Sequence, residues 1–157
     1  MNALAIGIYL KLLRPDGSDT NYQFQNFFQG ETREFRGDDY LFGSFGFSGG
    51  TLDLAGGNIE ASILVGLNEV SASVFSQAVR GFWLAQICTV FLEPDTLAET
   101  DSFSEELYQL TGLSHDTLQL SVRLGSPLDA VRANLPRRVL TTALVGELPS
   151  TGQINLN

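Results

Sequence analysis

Hydrophobic and polar residues alternate one by one along parts of this chain. The clearest cases are two segments, Asn58–Val65 and Thr117–Leu124. Every second residue in them is apolar: Ile59, Ala61, Ile63 and Val65 in the first, and Leu118, Leu120, Val122 and Leu124 in the second. Because successive side chains of a β-strand point to opposite faces, this period of two predicts strands that bury one face.

Further apolar segments predict the other strands. They are Ala3–Leu13, Tyr22–Phe28, Arg33–Phe35, Tyr40–Phe47, Phe82–Leu92, Leu107–Leu113 and Val139–Val145. Phe82–Leu92 is apolar at odd and even positions alike, which predicts a central strand buried on both faces. Leu107–Leu113 is predicted to pair with Thr117–Leu124 as a hairpin across Ser114–Asp116. The acidic segment Glu93–Glu106 is predicted to be a loop.

Turn residues separate several of these strands. In Arg14–Gly17, proline fixes φ and glycine accepts a positive φ, which predicts a tight turn after the first strand. Gly37–Asp39 predicts a second turn. Gly125–Pro136 is predicted to be a loop that includes one helical turn at Leu128–Arg132.

One segment, Asn68–Gly81, has the period of an α-helix. Its apolar stripe follows the i, i+4, i+8 spacing and consists of Val70, Val74 and Ala78, with Phe75 beside them. Asn68 can cap the helix by accepting a hydrogen bond from a free main-chain N–H. Gly81 is placed to end it. The pattern predicts a helix over about residues 69–80.

Short strands and one helix together indicate a mainly β (α+β) fold. We expect a β-barrel or sandwich with one packed helix and extended terminal arms, Ala3–Leu13 and 139–157, which would order last. The length of 157 residues suits one domain. We expect it to cover residues 1–146, followed by a flexible or docking tail at 147–157.

Composition narrows the kinds of partner. The net charge is −9, and Lys11 is the only lysine, so there is no basic surface for nucleic-acid phosphates. Few charges with many aromatic residues fit a chain that buries surface against other proteins. Cys88 is the only cysteine, so no disulfide forms within the chain, and we interpret it as a buried thiol. No signal peptide and no membrane-spanning run is apparent.

Candidate catalytic and metal-binding chemistry is weak. Gly46–Gly50 fits the G-x-S-x-G pattern around Ser48. A nucleophile elbow requires a helix directly after the serine, and the segment that follows Gly50 is a poor helix former. His115 is the only histidine, and it fits a hairpin tip better than a metal site. The acidic run in Glu93–Glu106 lacks the glycine of a calcium loop. We therefore predict a non-enzyme without cofactor or metal.

The order of several features resembles a known family. Phe35–Tyr40 is followed by Gly46-Phe47 and Gly49-Gly50, then by the alternating strand that ends before Asn68. After the hairpin, Gly125–Ala130 leads into Leu135–Val139, with the sequence Leu-Pro-Arg-Arg-Val. This order is similar to phage minor tail proteins of the lambda L type and to related hub proteins of gene transfer agents. The resemblance covers roughly residues 35–140. Many members continue into a cysteine-bearing C-terminal domain, and the function of that domain is not carried over to this sequence.

The resemblance implies a mechanical role. Such proteins are structural subunits of the virion tail tip or baseplate, made in the host cytoplasm, that connect the tail tube to the central hub or spike. Implied partners are other tail proteins and copies of the chain itself in a ring, with a trimer favoured over a hexamer, and neither a membrane nor specific nucleic acid. We expect the partner interface to involve an aromatic strip, Phe42, Phe45 and Phe47, and a basic cluster, Arg132, Arg137 and Arg138.

Three other functions remain open on the sequence alone. The chain could be a different phage component, such as a tail-completion or tube β-barrel protein. It could be a carbohydrate- or receptor-binding β-sandwich, although Trp83 lies in the segment predicted to be most buried, where it could not stack on a sugar. A small hydrolase around Ser48 is the third alternative.

Overall fold

A computed structural model describes residues 5–18, 22–52 and 59–127 of the chain. These residues form nine strands and one helix. The strands are β1 Ala5–Leu13, β2 Tyr22–Gln25, β3 Arg33–Phe35, β4 Asp38–Phe42, β5 Phe45–Leu52, β6 Ile59–Gly66, β7 Leu84–Leu92, β8 Glu99–His115 and β9 Gln119–Gly125. The helix α1, Glu69–Arg80, lies between β6 and β7. The mainly β fold with one helix is thus confirmed.

All nine strands join one sheet, in the order β3-β4-β2-β1-β7-β8-β9-β6-β5. Every neighbouring pair is antiparallel except β2 with β4. In the described residues no ladder joins the two edge strands, so the sheet is open, and the prediction of a barrel or sandwich is wrong. A side chain links β2 and β5, which are not neighbours in the sheet: the Asn26 amide, just after β2, donates to the carbonyl of Phe45 at the start of β5 at 3.2 Å.

The N-terminal strand is not an extended arm. β1 pairs with β2 on one side and along its whole length with β7 on the other, from Ala5 opposite Leu92 to Leu13 opposite Leu84. It is therefore an interior strand, with a neighbour on each side. Both neighbours come from the same chain, so β1 does not need a partner from elsewhere. The predicted C-terminal arm, the helical turn at 128–132 and the tail at 147–157 lie outside the described residues.

The two faces of the sheet bury separate hydrophobic clusters. The larger cluster lies on the face that α1 covers, where Val74, Phe75 and Ala78 pack against strand residues such as Leu10 and Ile63. The smaller cluster centres on Tyr9 and Cys88 on the opposite face. β7 supplies residues to both clusters, which confirms the prediction of a central strand buried on both faces.

Helix α1 begins as the sequence predicts. The Asn68 side chain accepts from Ser71 N at 2.8 Å, and Ser71 Oγ accepts from Asn68 N at 3.0 Å, so the two residues form a reciprocal capping box. Ser71 Oγ also donates to the carbonyl of Gly66, which ties the first turn of the helix to the end of β6. The predicted apolar stripe is correct at Val74 and Ala78 but wrong at Val70, which is 70% exposed.

Several predicted boundaries differ from the structure. β2 stops at Gln25, whose buried side chain accepts from the main chain of Phe27 and Phe28 and holds a bend there. The segment predicted as Tyr40–Phe47 is two strands, divided at Gly43. The predicted acidic loop is wrong beyond Ala98, because β8 begins at Glu99 and pairs with β7.

The hairpin of β8 and β9 is confirmed. Leu113 lies opposite Val122, and His115, at the end of β8, lies opposite Leu120. The turn is held by Asp116, whose carboxylate accepts from Leu118 N and Gln119 N, each at 2.8 Å. These two hydrogen bonds lower the pKa of Asp116.

Candidate partner-binding groove

An apolar groove lies between the N-terminal half of α1 and the ends of β2, β4 and β5. Its volume is about 580 Å³. Most of its lining is apolar: Leu10, Phe24, Phe42, Phe45, Val65, Val70, Val74 and Phe75. The capping box of α1 fixes one wall, because Ser71 is bonded both within the helix and to the end of β6. The groove is thus a built feature of the fold and not a gap between loose segments.

Exposed apolar side chains extend this surface at the edge of the groove and beyond it. Val70 projects from the first turn of α1, and Leu118, at the hairpin turn, is 77% exposed. Leu67, which is 38% exposed, lies next to Leu118, because its N–H donates to the Leu118 carbonyl at 2.9 Å. A neighbouring hollow of about 300 Å³ is lined by Leu118 and shares Phe45 with the groove. We call Leu67, Val70 and Leu118 the rim.

The groove contains a single charged side chain. Among its lining residues, Glu69 carries the one ionisable side chain, at the start of α1. A carboxylate there interacts favourably with the positive end of the helix dipole. The arrangement offers apolar contact area and one negative charge, which suits a protein partner that presents apolar side chains with a cation beside them.

The structure separates the residues of the predicted aromatic strip. Phe42 and Phe45 line the groove, and Phe42 keeps more than a third of its surface exposed. Phe47 instead packs against the larger core, with its ring 5.9 Å from that of Tyr108. Two of the three aromatic residues therefore share one accessible surface. Arg132, Arg137 and Arg138, the predicted basic cluster, lie outside the described residues.

Sequence reasoning misses the rim. The periodic pattern predicts Val70 and Leu118 on buried faces, because they continue the period of α1 and of β9. Val70, however, sits in the first helical turn, and Leu118 precedes the first paired residue of β9. Positions at element ends are the ones where a periodic pattern no longer fixes burial.

A second cluster of polar groups lies beneath the β3–β4 hairpin. It surrounds a small pocket of about 120 Å³ and includes Tyr9, Lys11, Arg36, Asp38, Tyr40, Gln86 and Cys88. Lys11 pairs with Asp38, and Arg36 pairs with Glu105 at 2.8 Å. The hydrogen bond from Arg36, with a second from Gln86, lowers the pKa of Glu105. These contacts hold the hairpin against β1 and β8.

The acid–base properties of this second cluster do not favour a catalytic role. Burial raises the pKa of the Cys88 thiol, which keeps it protonated and a poor nucleophile. Burial also raises the pKa of Tyr9, whose hydroxyl donates to Glu99, and raises that of Tyr40 to about 12. Its charged groups are largely paired with one another. We interpret this cluster as structural.

The other candidates for catalytic or metal-binding chemistry also have defined positions. Ser48 lies within β5 opposite Ser62, and not at a strand-to-helix turn, so it does not have the geometry of a nucleophile elbow. In the described part of the chain, no three His, Cys, Asp or Glu side chains come together as metal ligands. Helix α1 is too short to cross a bilayer, and the described residues contain no helix that could do so.

Comparisons with known proteins give a likeness of fold. No protein-family model matches the chain, and no curated protein matches it. Its fold is similar to that of a chain in the virion of a native gene transfer agent particle, with a TM-score of 0.54 and 12% sequence identity. The match covers 81% of this chain and 42% of the other, so the chain spans about two fifths of that protein's length. At this identity, the match shows a shared fold.

Proposed function

We propose that this chain is a structural, non-enzymatic component of a phage-like virion, located at the tail tip. It connects the tail tube to the central hub or spike and works as a homo-oligomeric ring, with three copies favoured over six. The synthesis of the protein takes place in the host cytoplasm, and its partners are other tail proteins, not membranes or specific nucleic-acid sequences.

The apolar groove with its exposed rim is the observation that carries the proposal. A monomeric soluble protein rarely leaves a large contiguous apolar surface facing water, and such surfaces usually bind another protein. Here Val70, which lines the groove with Phe42, is 70% exposed, and Leu118, which lines the neighbouring hollow, is 77% exposed. The shape suits a subunit that is covered on assembly.

Two further observations support a phage-like virion as the assembly. The fold is shared with a chain of a gene transfer agent virion. Independently, the order of motifs between Phe35 and Val139 resembles phage minor tail proteins. A sugar-binding role has less support, because Trp83 is 6% exposed and stacks with Tyr22 inside the protein, where a sugar could not reach its ring.

The test is the mass of the protein alone and with the products of its neighbouring genes, measured by light scattering and native mass spectrometry. We expect a defined ring bound to a tube or hub protein. Val70→Asp places a charge in the groove and should abolish that complex. Ile6→Asp is the matched control, because Ile6 is also exposed, at 56%, but does not line the groove.

Two results would contradict the proposal. One is a protein whose mass does not change with any neighbouring gene product. The other is equal loss of the complex with Val70→Asp and Ile6→Asp, which would mean that the groove is not the binding surface. In the first case, a glycan-binding screen would test the receptor-binding alternative.

A further inference from the structure

The two edges of the open sheet are unequal. β3 has three residues, and its hairpin is anchored to the body by two arginines: Arg33 donates to the Leu97 carbonyl at 3.1 Å, and Arg36 pairs with Glu105. β5, at the other edge, has eight residues and contains neither a charged residue nor a proline. Short length, charge, proline and β-bulges are features by which proteins block pairing at a sheet edge. β5 lacks the first three, and the irregularity in its ladder with β6 lies between Ser48 and Thr51, so Phe45–Ser48 is a regular stretch of the edge.

The outer side of β5 has no strand partner among the described residues. In this part of the chain, every strand other than β3 and β5 already has a neighbour on each side. A second copy can therefore reach this edge without breaking its own ladders in two ways: through the free edge of its own β5 or β3, or through a segment outside the described residues.

The sequence after Pro127 contains one run suited to this role. Val139–Val145 reads Val-Leu-Thr-Thr-Ala-Leu-Val, which is uncharged and rich in β-branched residues. Its seven residues match the eight of β5 in length. The eleven residues between Pro127 and Val139 can span up to about 36 Å when extended, enough to reach an adjacent molecule.

Charge favours the same pairing. The last thirty residues carry Arg132, Arg137 and Arg138 against Asp129 and Glu147, whereas the rest of the chain carries six basic and sixteen acidic residues. Two copies of so acidic a body repel each other. The C-terminal segment is the part of the chain with a positive balance, so it can approach a neighbouring copy without that cost.

We propose that β5 accepts the Val139–Val145 segment of a neighbouring copy as an added strand. This inference rests on the proposed function in one respect, that the chain acts as an oligomer. Each copy donates one strand and accepts one, so the contact is heterologous and forms a closed ring when the rotation per subunit closes. Main-chain hydrogen bonds then supply the contact, as in other cases of strand addition.

Cross-linking between two variants of the full chain tests where the segment binds. One variant carries Ser48→Cys in β5, and the other carries Thr142→Cys and an affinity tag. The mixture is treated with a short bis-maleimide, which tolerates a shift in register. A cross-linked pair with one tagged and one untagged chain is the expected result, because only copies paired through β5 and the segment can give it.

Two outcomes would overturn the inference. The first is no mixed pair, with an internal cross-link in a Ser48→Cys, Thr142→Cys double variant, which would place the segment on its own β5. The second is no cross-link in either experiment. Cys88 is buried and stays in place in every variant, and the parent protein treated with the same reagent reports its background reactivity.

A second measurement uses proline, which cannot donate to a ladder. Thr142→Pro should weaken self-association at least tenfold in light scattering, while Thr151→Pro, outside the segment, should leave it unchanged. Equal behaviour of the two variants would overturn the inference. If Thr142→Pro still joins its tail partners as a normal ring, the strand donation fails and the proposed function stands. If the mixed cross-link forms but no tail protein binds, the proposed function fails alone.

Discussion

The rings of Tyr9 and Phe35 lie nearly parallel, with 4.2 Å between their centroids and 8° between their planes. Tyr9 belongs to the interior strand β1 and Phe35 to the edge strand β3, so this contact is not between neighbouring strands. Tyr40 adds an edge-on contact to Tyr9 at 4.8 Å. Aromatic stacking therefore folds the β3–β4 hairpin over the smaller core and keeps that edge of the sheet closed to other strands.

Replacing Phe35 by leucine should loosen this hairpin. We expect Phe35→Leu to lower the free energy of unfolding by about 1–2 kcal/mol, since an aromatic pair contributes about 0.5–1.5 kcal/mol beyond its buried area. Urea denaturation followed by fluorescence measures the change. Phe82→Leu is the control at a ring that is 62% exposed and lies outside the hairpin, and it should change stability by less than about 0.5 kcal/mol. A loss as large for Phe82→Leu would mean that the stack does not hold the hairpin.

The buried Tyr40 should make the protein sensitive to alkali. Burial, followed by the nearby charge of Asp38, raises its pKa to about 12, whereas an unfolded tyrosine titrates near its ordinary value of 10.0. Between these two values the unfolded chain has lost the proton that the folded chain keeps, so stability falls as the pH rises. We expect the urea midpoint to decrease from pH 10 to pH 12.

Tyr40→Phe removes this titrating group. The variant should lose less stability over the same pH range, although burial of Tyr9 still contributes to the fall. Urea midpoints at pH 8, 10 and 11 give the comparison. Tyr22→Phe, at a half-buried ring on the other face, controls for the loss of a hydroxyl. Identical pH curves for Tyr40→Phe and the parent protein would contradict the prediction.

The sequence can predict those parts of the fold in which a side chain bonds to nearby main-chain groups. Asn68 caps α1, and Asp116 holds the hairpin turn, because each acts on main-chain groups within three residues. The open sheet is not predictable in this way. The sheet is open because β5 follows β4 in the sequence but pairs with β6 at the opposite edge. No pattern of apolar residues encodes that choice of pairing partner.

The candidate groove is half predictable for the same reason. Phe42 and Phe45 are conspicuous in the sequence, but their position beside Val70 arises only when α1 packs across the sheet. The first half of β8, Glu99–Glu106, is almost continuously exposed and has no face in the core, so its sequence is that of a loop. Its main chain nevertheless pairs with β7. Burial patterns predict strands only where one face is covered.

The end of α1 offers a stabilising substitution. Phe82 holds the left-handed position after the helix, with φ of 53°, while Gly81 before it has φ of −87°. The hydrogen bonds Phe82 N to Val79 O and Trp83 N to Ala78 O are those of a Schellman motif, in which glycine normally occupies the left-handed position. Phe82→Gly should raise the free energy of unfolding by about 0.5–1 kcal/mol.

Gly81→Ala is the opposite case at the adjacent position. A Cβ on Gly81 would lie 2.5 Å from the Trp83 ring nitrogen, so alanine should destabilise the protein although it is the better helix former. Thermal unfolding of the two variants measures both changes in stability. Destabilisation by Phe82→Gly would show that the exposed phenylalanine makes contacts worth more than its backbone strain.

Phe42 and Phe47 should respond differently to the same truncation. Phe47 packs on the larger core beside Tyr108, so Phe47→Ala should cost about 2–3 kcal/mol of stability through lost burial and the cavity left behind. Phe42 lines the groove and is 37% exposed, so Phe42→Ala should cost less than about 1 kcal/mol. The effect on partner binding should be reversed. Because an aromatic side chain that becomes buried in an interface is a typical hot spot, Phe42→Ala should weaken the complex with the proposed tail partner at least about tenfold.

Two measurements on each variant separate these effects: urea unfolding of the free protein, and titration of the folded protein with its partner. Phe47→Ala that remains folded should bind nearly normally, since the side chain does not line the groove. If Phe42→Ala binds as tightly as the parent chain, the groove is not where the partner docks. If Phe47→Ala weakens binding as much as Phe42→Ala does while staying folded, the interface extends along β5, because Phe47 lies in that strand and not in the groove.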